Sequence, residues 1–291
     1  MNAIELFKQY IAMLDEIYKL EAKTNVLDGA NELARQGANA NELIIPKLSM
    51  DGLANYSRND GYVNGNVDFT FETVKCNFDR GRMFQVDVMD NVETMGLVFG
   101  KLSSEFVRTK VIPELDAFRM AKYASVEGIS TVAAADLTTG DAVVKALRAA
   151  TTKMNNDEVS EGNRILFIET GLKGLVDDLD TTKSKEVLKK FSQVIEMPQN
   201  RFYTAITQLT GKEGQETGGY TRAEGANNIN FLIVEKSAAI QFAKRVNSKI
   251  IAPEQNQDAD AYKYGYRQVA IADAYENKRA GIYLHKSTVT A

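Results

Sequence analysis

Catalysis without a borrowed cofactor usually needs an imidazole, a thiolate or a cluster of metal ligands, and this chain has few of them. His285 is its single histidine and Cys76 its single cysteine. A Ser-His-Asp or Cys-His arrangement requires an imidazole as base, so at most one such site could exist and it would have to use His285. His285 lies near the C-terminus in a strand-like stretch, GIYLHKS, which reads as the place of a structural or exposed histidine. Zinc sites of the Cys/His type draw three or four ligands from these residues, and one of each does not make a set. Cys76 reads as a small buried hydrophobe, and an intramolecular disulfide is impossible.

Two further stretches invite a chemical reading and fail on spacing. GKEGQETGG, Gly211 to Gly219, is rich in glycine like a phosphate-binding loop. The Walker pattern places four residues between its first Gly and Gly-Lys, followed by Ser or Thr. Here Glu213 follows Lys212, and no helix follows the loop. DDLD holds Asp177, Asp178 and Asp180, but a calcium loop needs Gly at its sixth place and a closing Glu. Asp258 and Asp260 read as an exposed loop. No catalytic, cofactor-binding or metal-binding residue is assigned, and no enzyme is expected.

The elements carry more information than the candidate sites do. With 291 residues, 44% hydrophobic and 25% charged, the chain can build a sizeable core. The formal net charge of −4 argues against a surface devoted to gripping nucleic acid. Lys185, Lys189 and Lys190 sit near Glu186, and Arg80 and Arg82 near Asp79, so cations and acids are interspersed. No apolar run approaches the ~18 residues of a membrane span. Charges interrupt the apolar stretches of the N-terminus, unlike those of a signal peptide.

Ile4, Phe7, Ile11, Leu14, Ile17 and Tyr18 repeat at three and four, the pattern of an amphipathic helix. Residues 24–42 read as an irregular arm with one short helix around Ala30–Arg35. A strand is expected to start near Pro46. Asn64-Gly65 is a strong signal for a tight hairpin turn, because both residues tolerate positive φ. VDFTFETVKCNF and RMFQVDV then continue as strand, with a bulge or twist where the Phe69/Phe71 phase gives way to Val74/Cys76/Phe78. Such a ribbon is marginal in water by itself, which points to a neighbouring subunit as its support. From Asp90, with Glu93 completing a capping box, helical spacing runs to Ala124. Pro113 predicts a kink near Thr109–Ile112. Beyond Ser125 helices and strands alternate. Helices are expected at 138–153, begun by Thr138 or Thr139, at 185–196, and from Ser237 to about Arg245. Strands are expected at 164–169, 201–209 and 230–235, a loop at 211–228, and two strands in the tail.

Several ordered blocks also carry a family likeness. NDGYVNGNVDFTFETVKCNFDRGRMFQVDVMDNVET (59–94) resembles the hairpin and helix start of tailed-phage major capsid proteins with the HK97-type fold. EFVRTKVIPELDAFRMAKYAS (105–125) is similar to their spine helix, and NFLIVEKSAAI (230–240) and residues 249–286 to their closing segments. The resemblance covers most of the chain from about Pro46. It implies an α+β, HK97-like capsid fold with an N-terminal arm (1–42), an extended hairpin loop (43–90) and the spine helix of a peripheral domain (91–128). A mixed α/β axial domain (129–248) and return strands (249–291) complete it.

The function implied is that of a coat protein. It would self-assemble into hexamers and pentamers of an icosahedral shell around phage double-stranded DNA, which it would touch only non-specifically. It would be made in the host cytoplasm and located in the virion capsid. A separate scaffolding protein and a portal would be its partners, with no membrane. About 40 residues precede the hairpin, too few for a long removable scaffolding region, so no large maturation cleavage is expected. Some family members form a Lys–Asn isopeptide crosslink. Lys75 and Asn256 lie in the corresponding regions, but no flanking motif aligns them and the crosslink is not carried over. The alternatives are an encapsulin-type shell of the same fold and, from another class, a soluble α/β enzyme with a convergent polar pocket.

Overall fold

Arg164–Glu169 (β6) and Asn227–Glu235 (β10) are the most apolar stretches, and they pair with each other along Phe231–Glu235. Strands buried on both faces read as continuous hydrophobic runs rather than alternation. The structure is a computed structural model and describes residues 22–29, 35–36, 42–59, 61–89, 97–179 and 181–290. β6 and β10 form the centre of a five-stranded sheet ordered β5-β13-β10-β6-β7, completed by Ser130–Thr131 (β5), Gln193–Met197 (β7) and Ile282–Thr290 (β13). Leu166, Ile168, Phe231 and Ile233 face three helices, Gly140–Asn156 (α3), Thr170–Asp178 (α4) and Thr182–Leu188 (α5). The alternate residues Ile165, Phe167, Leu232 and Val234 face Met120 and Tyr123 of the long helix.

That long helix is described from Leu97 onward. It runs as Leu97–Phe106 (α1), a π-helical turn Val107–Val111, and Ile112–Ala124 (α2). The irregularity falls where Pro113 predicts it. Proline offers no N–H to the carbonyl of Thr109 and its ring crowds that turn, so the helix widens there instead of breaking. α2 carries a second, three-stranded sheet ordered β11-β12-β4, made of Ala239–Ile251 (β11), Ala261–Ala274 (β12) and Phe78–Asp87 (β4). Leu115 and Phe118 pack on Phe78, Ala270 and Ala272, and Val111 and Ile112 on Tyr264 and Tyr266.

Two smaller ribbons project from this body. Arg35–Gln36 (β1), Glu42–Met50 (β2) and Val67–Lys75 (β3) form one, and Ile206–Gln208 (β8) with Tyr220–Arg222 (β9) the other. Thr139 is the cap of α3, its hydroxyl accepting from the Ala142 amide at 3.3 Å, as its sequence position suggests.

Several expectations need correction. The helix expected at 185–196 stops at Leu188, because Val194 and Ile195 join the parallel ladder with β6. The helix expected from Ser237 is a single 3-10 turn followed by the thirteen-residue strand β11, whose pairing with β12 overrides local helix propensity. The strand expected at 201–209 shrinks to β8, and the 211–228 loop contains β9 and the start of β10. The strand at Pro46 begins earlier, at Glu42. Arg35 is in a strand rather than a helix, and Lys23–Leu27 forms a 3-10 turn. The expected helix at 4–18, residues 30–34, and the capping pair Asp90 and Glu93 lie outside the described residues.

Candidate functional site

The β2–β3 hairpin shows its chemistry in its register. Opposite pairs in an antiparallel ladder share a face. Pro46 stands opposite Phe71, Leu48 opposite Phe69 and Met50 opposite Val67, so one face is apolar over the outer half of the ladder; toward the root the same face carries Thr73 and the Glu42–Lys75 rung. Ser49 opposite Asp68 and Lys47 opposite Thr70 make the other face polar. The apolar face is uncovered: Leu48 is 51% exposed, Met50 64%, Val67 67%, Phe69 58% and Phe71 63%. Phe69 and Phe71 touch edge to face, with ring centroids 5.1 Å apart. Each such side chain, once buried, contributes about 1.5–3 kcal/mol. An exposed apolar face of this kind marks an interaction surface.

The hairpin's tip differs from the expected tight turn. β2 and β3 are joined by a long loop, closed at its base where the Asp51 amide donates to the Asn66 carbonyl (3.1 Å) and the Asn66 amide to Asp51 Oδ2 (2.8 Å). Within it Ser57 and Gly61 bridge, and Gly61 takes the left-handed φ of 77°. Gly65 does not adopt positive φ, so Asn64-Gly65 is not the turn. That signal requires strand on both sides, and here the ladder ends at Met50 and Val67. Tyr56 and Tyr62 meet across the loop with tilted rings, centroids 4.9 Å apart and both exposed, so the tip is aromatic as well as polar.

At the root the chain changes sheets. The break at Cys76–Asn77 separates β3, which pairs with β2, from β4, which pairs with β12. This break replaces the expected bulge, and residues 78–88 belong to the body rather than to the projecting ribbon. Val74 is buried against Ile240 and Ile271, with Cys76 half-buried beside them.

A second constellation, unread in the sequence, fastens residues 22–28 to the long helix. Asp116 and Arg119 are both fully buried. Asp116 accepts from the Thr24 hydroxyl at 2.7 Å and from the Thr24 and Lys23 amides at 3.2 Å. Arg119 donates to the Thr24 hydroxyl at 2.8 Å and to Asp28 at 3.3 Å. Gln241 of β11 donates to the Thr24 carbonyl and to Asp28, both at 2.7 Å, and accepts from Tyr123 at 3.0 Å. Burial pushes the Asp116 carboxyl up, and Thr24 and Arg119 oppose that shift. Such a closed network fixes a segment's position more than it stabilises the fold.

The residues with candidate chemistry are scattered. His285 is 5% exposed and stacks on Phe231 at 4.9 Å. The Asn230 amide donates to the Ala135 carbonyl at 2.8 Å and lies 3.0 Å from His285 Nδ1, so Nδ1 accepts and the ring is neutral. Burial lowers its pKa. The glycine-rich loop is tied to β4: Arg80 donates to the carbonyls of Leu209 (2.8 Å) and Gly219 (3.1 Å), and Arg82 to those of Glu216 and Thr217. Asp177 pairs with Lys173 and Asp258 with Lys263; Asp180 lies outside the described residues. Lys75 is exposed in β3, and Asn256 uses its amide on the Ala261 carbonyl. Among the described residues no group of three His, Cys, Asp or Glu could hold a metal, and no helix is long and apolar enough to cross a membrane.

Comparison with solved structures accounts for an architecture with so little chemistry in it. The capsid of the cyanophage P-SCSP1u matches with a TM-score of 0.55 at 10% identity, over 88% of this chain and 86% of the other. The capsid of Myoviridae phage XM1 matches at 0.54 and 11%, over 86% and 87%. The chain has a phage-capsid fold. A virus-like particle from Pyrococcus furiosus matches this capsid-fold chain at 0.60 and 11%, over 97% and 99%. No family model matches the sequence, and no curated protein does. The likeness therefore lies in the backbone fold.

Proposed function

We propose that this chain is a shell subunit, the major capsid protein of a tailed phage with the HK97-type organisation. It would assemble through hexamers and pentamers into an icosahedral wall around double-stranded DNA. The observation that carries the reading is the uncovered apolar face of the β2–β3 hairpin, on a chain whose fold is that of phage capsids. A lone subunit leaves that face in water, and a neighbouring copy buries it. The ranges 1–42, 43–90, 91–128, 129–248 and 249–291 serve as arm, extended loop, spine, axial domain and return strands, with β4 acting as the loop's anchor in the body. The partners proposed are a separate scaffolding protein, a portal and packaged DNA, with the virion capsid as location and the host cytoplasm as the site of synthesis. Non-enzymatic action suits a wall whose polar groups pair with one another.

Full-chain material supplies the test. Light scattering across concentration and salt should show closed particles or capsomer rings, and intact-mass measurement should find no loss of many tens of N-terminal residues. A compact monomer under every condition would refute the reading. Removing residues 55–66 should spare the body's melting transition and abolish particles. The near-complete mutual coverage with the Pyrococcus furiosus virus-like particle favours a second reading, a cellular compartment shell of the encapsulin type. Particles that form without scaffold and co-purify with a cargo protein rather than DNA would select it.

A further inference from the structure

The ladder between β4 and β12 is regular, with Phe78 opposite Ala270 and Arg80 opposite Gln268. Carried one step further, that register would place Cys76 opposite Ala272. The main chain does not go there, because it leaves the sheet at Cys76–Asn77 to become the hairpin. The Asn77 side chain takes the vacated position. Its Nδ2 donates to the Ala272 carbonyl at 2.7 Å, and its Oδ1 accepts from the Ala272 amide at 3.1 Å. A primary amide has the donor and acceptor of a peptide group at the same spacing. It therefore completes one more rung of the ladder while its own backbone departs. Ala272 is itself nearly fully buried, so its backbone groups would otherwise lack partners in the body, and an unsatisfied buried group is costly.

On the other face of the same sheet, Val74 and Cys76 pack on Ile240 and Ile271. Two attachments, one polar and one apolar, thus hold the root of a ribbon that makes few other contacts. We propose that Asn77 is the positioning residue of the hairpin: its two-bond clip to Ala272 sets the angle at which β2–β3 leaves the body, and through that angle the geometry of the shell. The second part rests on the assembly reading above; the first does not. Asparagine is required because aspartate keeps the acceptor, loses the donor, and sets a carboxylate against the Ala272 carbonyl. Glutamine carries the amide one methylene too far.

The test separates the two parts. In full-length chain with Cys76→Ala, which keeps the root contact apolar, spin labels at Tyr62→Cys in the tip and Lys145→Cys on α3 report the tip-to-body distance, with labelled chains diluted by unlabelled ones. Asn77→Ala and the nearly isosteric Asn77→Asp should each broaden or shift that distribution, while the body still melts in one cooperative transition. The same chains without labels should give particles of mixed diameter. An unaltered distribution in either variant, with the body folded, overturns the clip. A broadened distribution with particles of uniform diameter upholds the clip and counts against the hairpin's role in assembly. If Asn77→Ala fails to fold, Asn77→Asp decides by the same distance.

Discussion

β3 and β10 are both nine-residue strands with aromatic and aliphatic side chains, yet they meet opposite fates. VDFTFETVK presents Val67, Phe69 and Phe71 to solvent, whereas NNINFLIVE is enclosed on both faces from Ile229 onward apart from slight exposure at Asn230. The difference lies in what each strand has beside it. β10 is flanked by β13 and β6, with helices on one face and the end of the long helix on the other. β3 has β2 on one edge, and among the described residues none covers its apolar face. Apolar strands therefore reveal that a core exists but not which molecule completes it. In a shell subunit the second possibility is the functional one.

The comparison breaks most visibly under truncation. Phe231→Ala in β10 should cost about 3–5 kcal/mol of folding stability, the range for a fully buried aromatic. Denaturant unfolding measures it, and a loss no larger than that of an exposed residue would show that β10 is not the centre of the core. His285, which stacks on Phe231, sharpens the same region. Its pKa is lowered in the folded state, so below the ordinary value of about 6.5 the unfolded chain binds a proton that the folded chain resists. Stability contributed by neutral His285 is complete above that value and falls as pH drops from there toward the folded pKa. His285→Phe should flatten this limb of the pH–stability profile, and an unchanged slope would remove His285 as its cause. At the surface, Arg267→Ala deletes an exposed pair with Asp79 and should lower the melting temperature only slightly, because solvent screens such pairs. Phe69→Ser and Phe71→Ser in the hairpin should change stability least, within about 0.5 kcal/mol, when measured on unassembled chain.

What the sequence made legible was local or strongly patterned. Thr139 announces α3, Pro113 marks the π turn, and RILFIE and NFLIVE are unmistakable buried strands. The failures occur where long-range pairing overrides local preference. Ala238, Ala239 and Ala243 favour helix, yet β11 pairs with a strand twenty residues further on. The 185–196 stretch reads as one helix until Val194 and Ile195 meet β6. Asn64-Gly65 carries hairpin chemistry without flanking strand. The register of the β2–β3 ladder, which gathers Pro46, Leu48, Met50, Val67, Phe69 and Phe71 on one face, depends on the pairing partner and could not be read from either strand alone. Asp116 and Arg119 were hidden for a related reason. Charges three apart on a helix normally face water, and here Thr24, Asp28 and Arg201 supply the partners that make their burial tolerable. The absence of a catalytic constellation in the sequence readings was an expectation drawn from one His and one Cys, and the capsid fold gives it a context.

The central claim is that a neighbouring copy covers the hairpin's apolar face. Electron microscopy of purified wild-type chain beside the double variant Phe69→Asp, Phe71→Asp tests it most directly, with the body's melting transition recorded for both. The account expects closed particles or rings from the wild type and dispersed, equally stable subunits from the variant. Particles from the variant indistinguishable from those of the wild type would contradict it.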